Sequence, residues 1–118
     1  MNLDGRLVLV VEDEPIIGLA LEDMLGDAGA NAIIAERVDD ALSIVEHEKI
    51  GAAILDVNVH GVRTYGLAER LGRAGIPYIF ATGYGDLSHP TEFADVPTVT
   101  KPYNLQEIER ALTAAEKQ

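Results

Sequence analysis

The 118-residue sequence contains no cysteine, which excludes disulfides, thiolate nucleophiles and cysteine-ligated zinc. Basic residues are scarce: 9 Lys and Arg stand against 20 Asp and Glu, so the net charge is −11 with neutral histidines. This negative charge disfavours nucleic acid as a direct partner, because binding to a phosphate backbone depends on cationic side chains.

Long hydrophobic runs are also missing from the sequence. No apolar segment reaches the roughly 18 residues of a membrane span, and residues 1–6 lack the basic and then apolar layout of a signal peptide. We therefore expect a soluble cytoplasmic protein with no membrane partner. The 47% of apolar and 25% of charged residues are typical of a globular chain, and the length predicts one domain over residues 1–118.

Apolar runs and helical patterns alternate along the chain. The runs are short and continuous, as in strands covered on both faces, and lie at Leu7–Val11, Ala32–Ala35, Ala52–Leu55, Tyr78–Ala81 and Val96–Thr100. Amphipathic helical patterns begin near Pro15, Asp39, Thr64 and Asn104. This alternation predicts an α/β fold with a doubly wound, five-stranded parallel sheet in the flavodoxin-like order 2-1-3-4-5. Only 13 residues separate Thr82 from Val96, so the helix between the last two strands should be short or missing.

Polar residues follow the strands that are neighbours in this order. Glu12 and Asp13 follow the first strand, Asp56 the third, Thr82 the fourth and Lys101 the fifth. Carboxylates crowded at one sheet edge favour a bound hard cation, and oxygen ligands without His or Cys favour Mg²⁺. The set predicts phosphoryl transfer onto Asp56, with the metal and Lys101 offsetting phosphoryl charge and Thr82 donating a hydrogen bond.

Each of these residues also has a simpler interpretation. The acidic residues before Pro15 suit the positive end of a helix dipole, Thr82 suits a strand terminus, and Lys101 suits a solvated turn. Their joint placement at neighbouring strand ends favours the site.

The sequence resembles the receiver domains of bacterial two-component response regulators over essentially its whole length. The motifs that carry the resemblance are Val10–Pro15, Leu55–Asn58, Thr82 and Lys101-Pro102. The segment Phe80-Ala81-Thr82-Gly83-Tyr84-Gly85 is similar to the motif of FAT GUY receivers, which are commonly stand-alone proteins.

The resemblance implies that Asp56 accepts a phosphoryl group from a sensor histidine kinase or a phosphotransfer protein. It implies that Asp13, Asp56 and the backbone carbonyl of Asn58 bind Mg²⁺ directly, while Glu12 supports the ion through contacts with these ligands. Asn58 and Tyr84 would tune autodephosphorylation, and the Lys101-Pro102 bond would be cis. The protein would act as a signalling switch and not as an enzyme. It would be a monomer or weak dimer, and a downstream regulator would bind the surface altered by phosphorylation.

The sequence departs from the best-known receivers at Thr98, where those receivers carry an aromatic switch residue three positions before the lysine. We therefore expect the signal to leave the site through the loop from Gly83 to Pro90, with reordering of Gly83-Tyr84-Gly85.

Three other functions remain open from the sequence: a receiver excised from a hybrid kinase, a vestigial interaction module, and a small haloacid-dehalogenase-like phosphatase. The phosphatase mechanism needs a second Asp two residues after the nucleophile, and Asn58 occupies that position.

Overall fold

The computed structural model describes residues 1–83 and 89–117. Its strands and helices alternate along the chain as the hydrophobic pattern predicts. In order they are β1 (Leu7–Val11), α1 (Pro15–Asp27), β2 (Asn31–Ala35), α2 (Val38–His47), β3 (Ala52–Asp56), β4 (Asn58–Val59), β5 (Val62–Arg63), α3 (Tyr65–Arg73), β6 (Tyr78–Thr82), β7 (Thr98–Thr100) and α4 (Leu105–Glu116).

Five of these strands form one parallel sheet in the order β2-β1-β3-β6-β7. Counted along the sheet alone, this is the predicted order 2-1-3-4-5, and the prediction of the fold class is confirmed. The antiparallel pair β4 and β5 was not predicted, because two-residue strands are too short to show a hydrophobic period.

Alternate residues of each strand pack on opposite sides of the sheet, as pleating requires. Val8 and Val10 of β1 belong to the core cluster that includes buried residues of α1 and α4. Leu9 and Val11 belong to the second cluster, with buried residues of α2 and α3. The sheet is therefore covered on both faces, which explains why its strands read as continuous apolar runs.

Local sequence signals position the helix ends. Pro15 opens α1, where its missing N–H costs no hydrogen bond, and Gly29 follows the helix with a φ of 83°. The Asn104 side chain accepts a hydrogen bond from the Glu107 N–H at 2.9 Å and caps α4, as predicted. In the described part of the chain, no helix combines the length and hydrophobicity needed to cross a membrane.

The connection from β6 to β7 lacks a long helix, as the residue count predicts. Its regular structure within the described residues is a single 3₁₀ turn, Thr91–Phe93. The last strand starts at Thr98 and not at Val96, since Pro97 has no N–H to donate to a ladder. Of the predicted signalling loop from Gly83 to Pro90, residues 84–88 lie outside the described residues.

Candidate functional site

The sheet order brings the predicted polar residues to one edge. Asp56 is the last residue of β3, and Glu12 and Asp13 directly follow β1, which pairs with β3. Thr82 is the last residue of β6, the other neighbour of β3, and Lys101 follows β7. A parallel sheet aligns all of these carboxyl ends, so residues far apart in sequence share one crevice.

The Lys101 ammonium lies at the centre of this crevice. Its Nζ is 2.9 Å from Asp56 Oδ2 and 2.9 Å from Glu12 Oε1, and its backbone N–H donates to the Thr82 carbonyl at 2.8 Å. The Lys101-Pro102 peptide is cis, as the resemblance implies. Burial alone would lower the pKa of Lys101, but its bonds to the two carboxylates outweigh burial and raise the pKa above its usual value. A single ammonium therefore forms ion pairs with two carboxylates.

Glu12 is the most enclosed acid of the site, with a side chain only 2% exposed. Its Oε2 accepts a hydrogen bond from the Glu14 N–H at 3.1 Å, while its Oε1 faces Lys101. Burial raises the pKa of the Glu12 carboxyl, and the bonds from Lys101 and Glu14 oppose that rise.

Asp13 faces outward and is held by a turn that the sequence analysis did not connect with it. Its Oδ2 accepts a hydrogen bond from the His60 N–H at 2.9 Å, and this bond lowers the pKa of the Asp13 carboxyl. His60 has a φ of 49°, and Gly61 has a φ of 79°. The dipeptide His60-Gly61 is a turn signal, but nothing local in it indicates which carboxylate the turn will meet.

The strand end that carries Asp56 is braced by its own loop. The Asn58 N–H donates to Asp56 Oδ1 at 3.3 Å, and the Thr64 hydroxyl donates to the Asp56 backbone carbonyl at 2.7 Å. Thr64 is fully buried, whereas its place in the sequence predicts only the start of a helix. With Lys101 on Oδ2, both carboxylate oxygens of Asp56 have an oriented donor.

Three carboxylates of the crevice lie close enough together to hold a divalent cation. Glu12, Asp13 and Asp56 each offer an oxygen, and the three oxygens lie within 4.8 Å of one another. A set made of oxygens alone fits a hard ion such as Mg²⁺ better than zinc or copper.

Thr82 is buried at the same edge but is oriented differently. Its hydroxyl is 3.4 Å from the Gly83 carbonyl and, within residues 1–83 and 89–117, makes no hydrogen bond to Asp56 or Lys101. The Tyr84 side chain, which the resemblance assigns to autodephosphorylation, lies outside the described residues.

The same combination of fold and crevice matches a known family. The family model described as response regulator receiver domain matches residues 8–113. The chain belongs to this receiver family. Receiver domains are signalling domains that work through phosphorylation, so the family leaves the dehalogenase-like phosphatase without support.

Solved structures of similar sequence agree with this assignment. SdrG of Sphingomonas melonis Fr1 is 38% identical, with a TM-score of 0.84 and coverage of 98% of both chains. The receiver domain of the Erythrobacter litoralis PhyR response regulator is 30% identical, with a TM-score of 0.75 and coverage of 95% of this chain and 90% of that one.

Curated relatives are longer proteins. A probable transcriptional regulator of Cyanophora paradoxa is 30% identical over 92% of this chain and 47% of its own length. The sensor histidine kinase RcsC of Escherichia coli K12 is 30% identical over 93% of this chain and 12% of its own length. The chain thus spans less than half of either relative.

Proposed function

We propose that residues 1–118 form a single receiver domain that acts in the cytoplasm as a phosphoacceptor switch. Asp56 takes a phosphoryl group from the phosphohistidine of a sensor kinase or phosphotransfer protein, and a downstream protein reads the altered surface. The observation that carries this proposal is the Lys101 ammonium, which lies 2.9 Å from both Asp56 and the buried Glu12 beside a three-carboxylate cluster.

In the transfer, an Asp56 carboxylate oxygen attacks the phosphorus. The phosphorus–nitrogen bond of the donor breaks, and its electron pair returns to the donor imidazole. Lys101 supports this step because its ammonium already faces Asp56 Oδ2, where charge accumulates on the incoming phosphoryl oxygens. The Asn58 N–H keeps the other carboxylate oxygen oriented.

The acidic cluster supports a place for Mg²⁺ in the same proposal. Asp13, Asp56 and the backbone carbonyl of Asn58 would bind the ion, with Glu12 behind them. When bound, Mg²⁺ offsets the negative charge of the phosphoryl oxygens and of the carboxylates around them. The exposed side of Asp13 leaves room for entry of the ion from solvent.

Thr82 is proposed as the group that senses the phosphoryl oxygen. Its hydroxyl now faces the Gly83 carbonyl, so donation to a phosphoryl group at Asp56 requires the side chain to turn away from Gly83. Such a turn would start a rearrangement in the segment that follows Thr82.

The test is incubation with acetyl phosphate and Mg²⁺, followed by intact-protein mass spectrometry. The wild-type protein should gain one phosphoryl group, and Asp56→Asn should gain none, because its amide lacks a nucleophilic oxygen. Asp27→Asn, a change of the same kind at an exposed end of α1, should be labelled like the wild type.

An adduct of equal yield in Asp56→Asn would place the nucleophile elsewhere. A wild-type protein without any adduct would favour the vestigial interaction module.

A further inference from the structure

His89 links two elements on the side of the sheet that carries α3. Its Nδ1 lies 2.8 Å from the Tyr65 hydroxyl at the start of α3, and its Nε2 lies 2.8 Å from Thr98 Oγ1 on β7. We name this chain of contacts, Tyr65–His89–Thr98, the imidazole bridge. It joins the start of α3 to β7, and His89 stands at the end of the chain segment that follows Thr82.

Aromatic rings pack against the imidazole bridge. The His89 ring lies 4.6 Å from the Phe80 ring and 5.8 Å from the Tyr65 ring, measured between centroids. Tyr65 in turn stacks on Phe93 at 5.2 Å. Because Tyr65, His89 and Thr98 are half-buried against these rings, their polar atoms are partly shielded from water, and breaking the bridge without a replacement partner costs free energy.

The hydrogen bonds are all satisfied by one neutral tautomer. In this tautomer the Thr98 hydroxyl donates to the Val96 carbonyl at 3.3 Å and accepts from the Nε2–H of His89. The Nδ1 atom then accepts from the Tyr65 hydroxyl.

The bridge lies next to the sensing end of the proposed site. Phe80 and Thr82 are two residues apart on β6 and so share one face, and they pair with Thr98 and Thr100 of β7. Thr98 occupies the position where the best-known receivers carry a movable aromatic ring. In this protein the His89 ring contacts the Thr98 side chain. A shift that starts at Thr82 can reach the bridge along β6, through the Phe80 ring that contacts His89.

We propose that the imidazole bridge is a conformational latch, closed in the unphosphorylated domain and opened when Asp56 carries a phosphoryl group. This inference rests on the proposed function. Closing the latch ties β7 to α3, and opening it releases that face for a partner. By linkage, a change that weakens the latch must tighten binding of a phosphoryl mimic, because less of the binding free energy is then needed to open the latch.

The experiment titrates beryllofluoride, a phosphoryl mimic, in the presence of Mg²⁺ and follows two signals at one fixed pH. Fluorine NMR reports the bound mimic, and ¹⁵N NMR reports the His89 ring. We expect the free protein to show the Nε2–H tautomer and the bound protein to lose that signature. Tyr65→Phe removes the bond to His89 Nδ1, and Thr98→Val removes the bond to His89 Nε2 together with the Thr98 bond to the Val96 carbonyl. Both variants keep the side-chain shape and should bind the mimic about fivefold more tightly, as expected when the bridge loses one hydrogen bond.

Thr113→Val provides the matched control, because it removes a hydroxyl that donates within α4, to the Glu109 carbonyl. It should bind the mimic like the wild type. A bound-fluoride signal with an unchanged His89 ring, or with unchanged affinity in Thr98→Val and Tyr65→Phe, overturns the latch and leaves the proposed function standing. Absence of any bound-fluoride signal in the wild type overturns both.

Discussion

The inner half of the crevice is nearly closed to solvent, whereas its outer half is open. Lys101, Glu12 and Asp56 form the inner half, with side chains 16%, 2% and 12% exposed. Asp13 and the turn at His60 form the outer half, where the two side chains are 23% and 56% exposed. Glu12 and Asp13 are consecutive in sequence, yet they belong to different halves.

The two halves stabilise negative charge by different means. In the inner half a single side-chain ammonium contacts two carboxylates, one of which has a pKa raised by burial. In the outer half a backbone N–H holds a carboxylate whose pKa is lowered. We therefore expect substitutions in the inner half to act first on stability, and substitutions in the outer half to act first on binding of a cation.

The largest effect is expected for Lys101→Met, which removes the counter-charge of the inner half. Glu12 would remain buried without its cation, and the free energy of unfolding at neutral pH should fall by about 3 kcal/mol. Urea denaturation measures this loss. Lys49→Met, at an exposed position, should change stability little.

A double variant, Lys101→Met with Glu12→Gln, separates the charge effect from the loss of packing. Because the neutral amide needs no counter-ion, the double variant should recover most of the loss. Equal losses in the single and double variants would mean that the inner half is held by packing and not by charge.

An intermediate effect is expected for Asp13→Asn on binding of Mg²⁺. At a Mg²⁺ concentration ten times the dissociation constant, the wild-type protein should gain about 1.4 kcal/mol of stability, because the unfolded chain lacks the carboxylate cluster. Thermal unfolding with and without Mg²⁺ should show this gain in the wild type and little of it in Asp13→Asn. Asp39→Asn in the first turn of α2 is the control and should respond like the wild type. A full Mg²⁺ response in Asp13→Asn would remove Asp13 from the ligand set.

The smallest effects are expected in the pH dependence of stability without metal, and they should differ in sign. The pKa of Asp13 lies below its usual 3.8, so its contribution is present above that value and is lost as pH falls through the folded-state pKa. The pKa of Glu12 lies above its usual 4.5, so its contribution is present below that value and is lost as pH rises through the raised pKa.

Compared with the wild type, Asp13→Asn should therefore lose less stability on acidification, and Glu12→Gln should lose less as the pH is raised. Urea denaturation across the acidic range measures both, and differences of the same sign would show that the two halves are not electrostatically distinct.

The order of strands and helices, and the sheet edge at which the polar residues meet, could be predicted from the sequence. These follow from signals within a few residues, such as the apolar runs, Pro15 and the Asn104 cap. The predicted start of the last strand was wrong by two residues, because of Pro97. The two-residue strands on either side of His60 are too short to show a hydrophobic period in the sequence.

The three-dimensional structure was needed to show which acid is buried, which atom contacts it and which ring contacts Thr98. Glu12 and Asp13 are both acids after the same strand, and their difference comes from Lys101 and from the His60 N–H, which is 47 positions from Asp13. The contact of His89 with Tyr65 likewise joins residues 24 positions apart. Burial, and the pKa changes it causes, depend on such distant contacts, and a local pattern in the chain does not encode them.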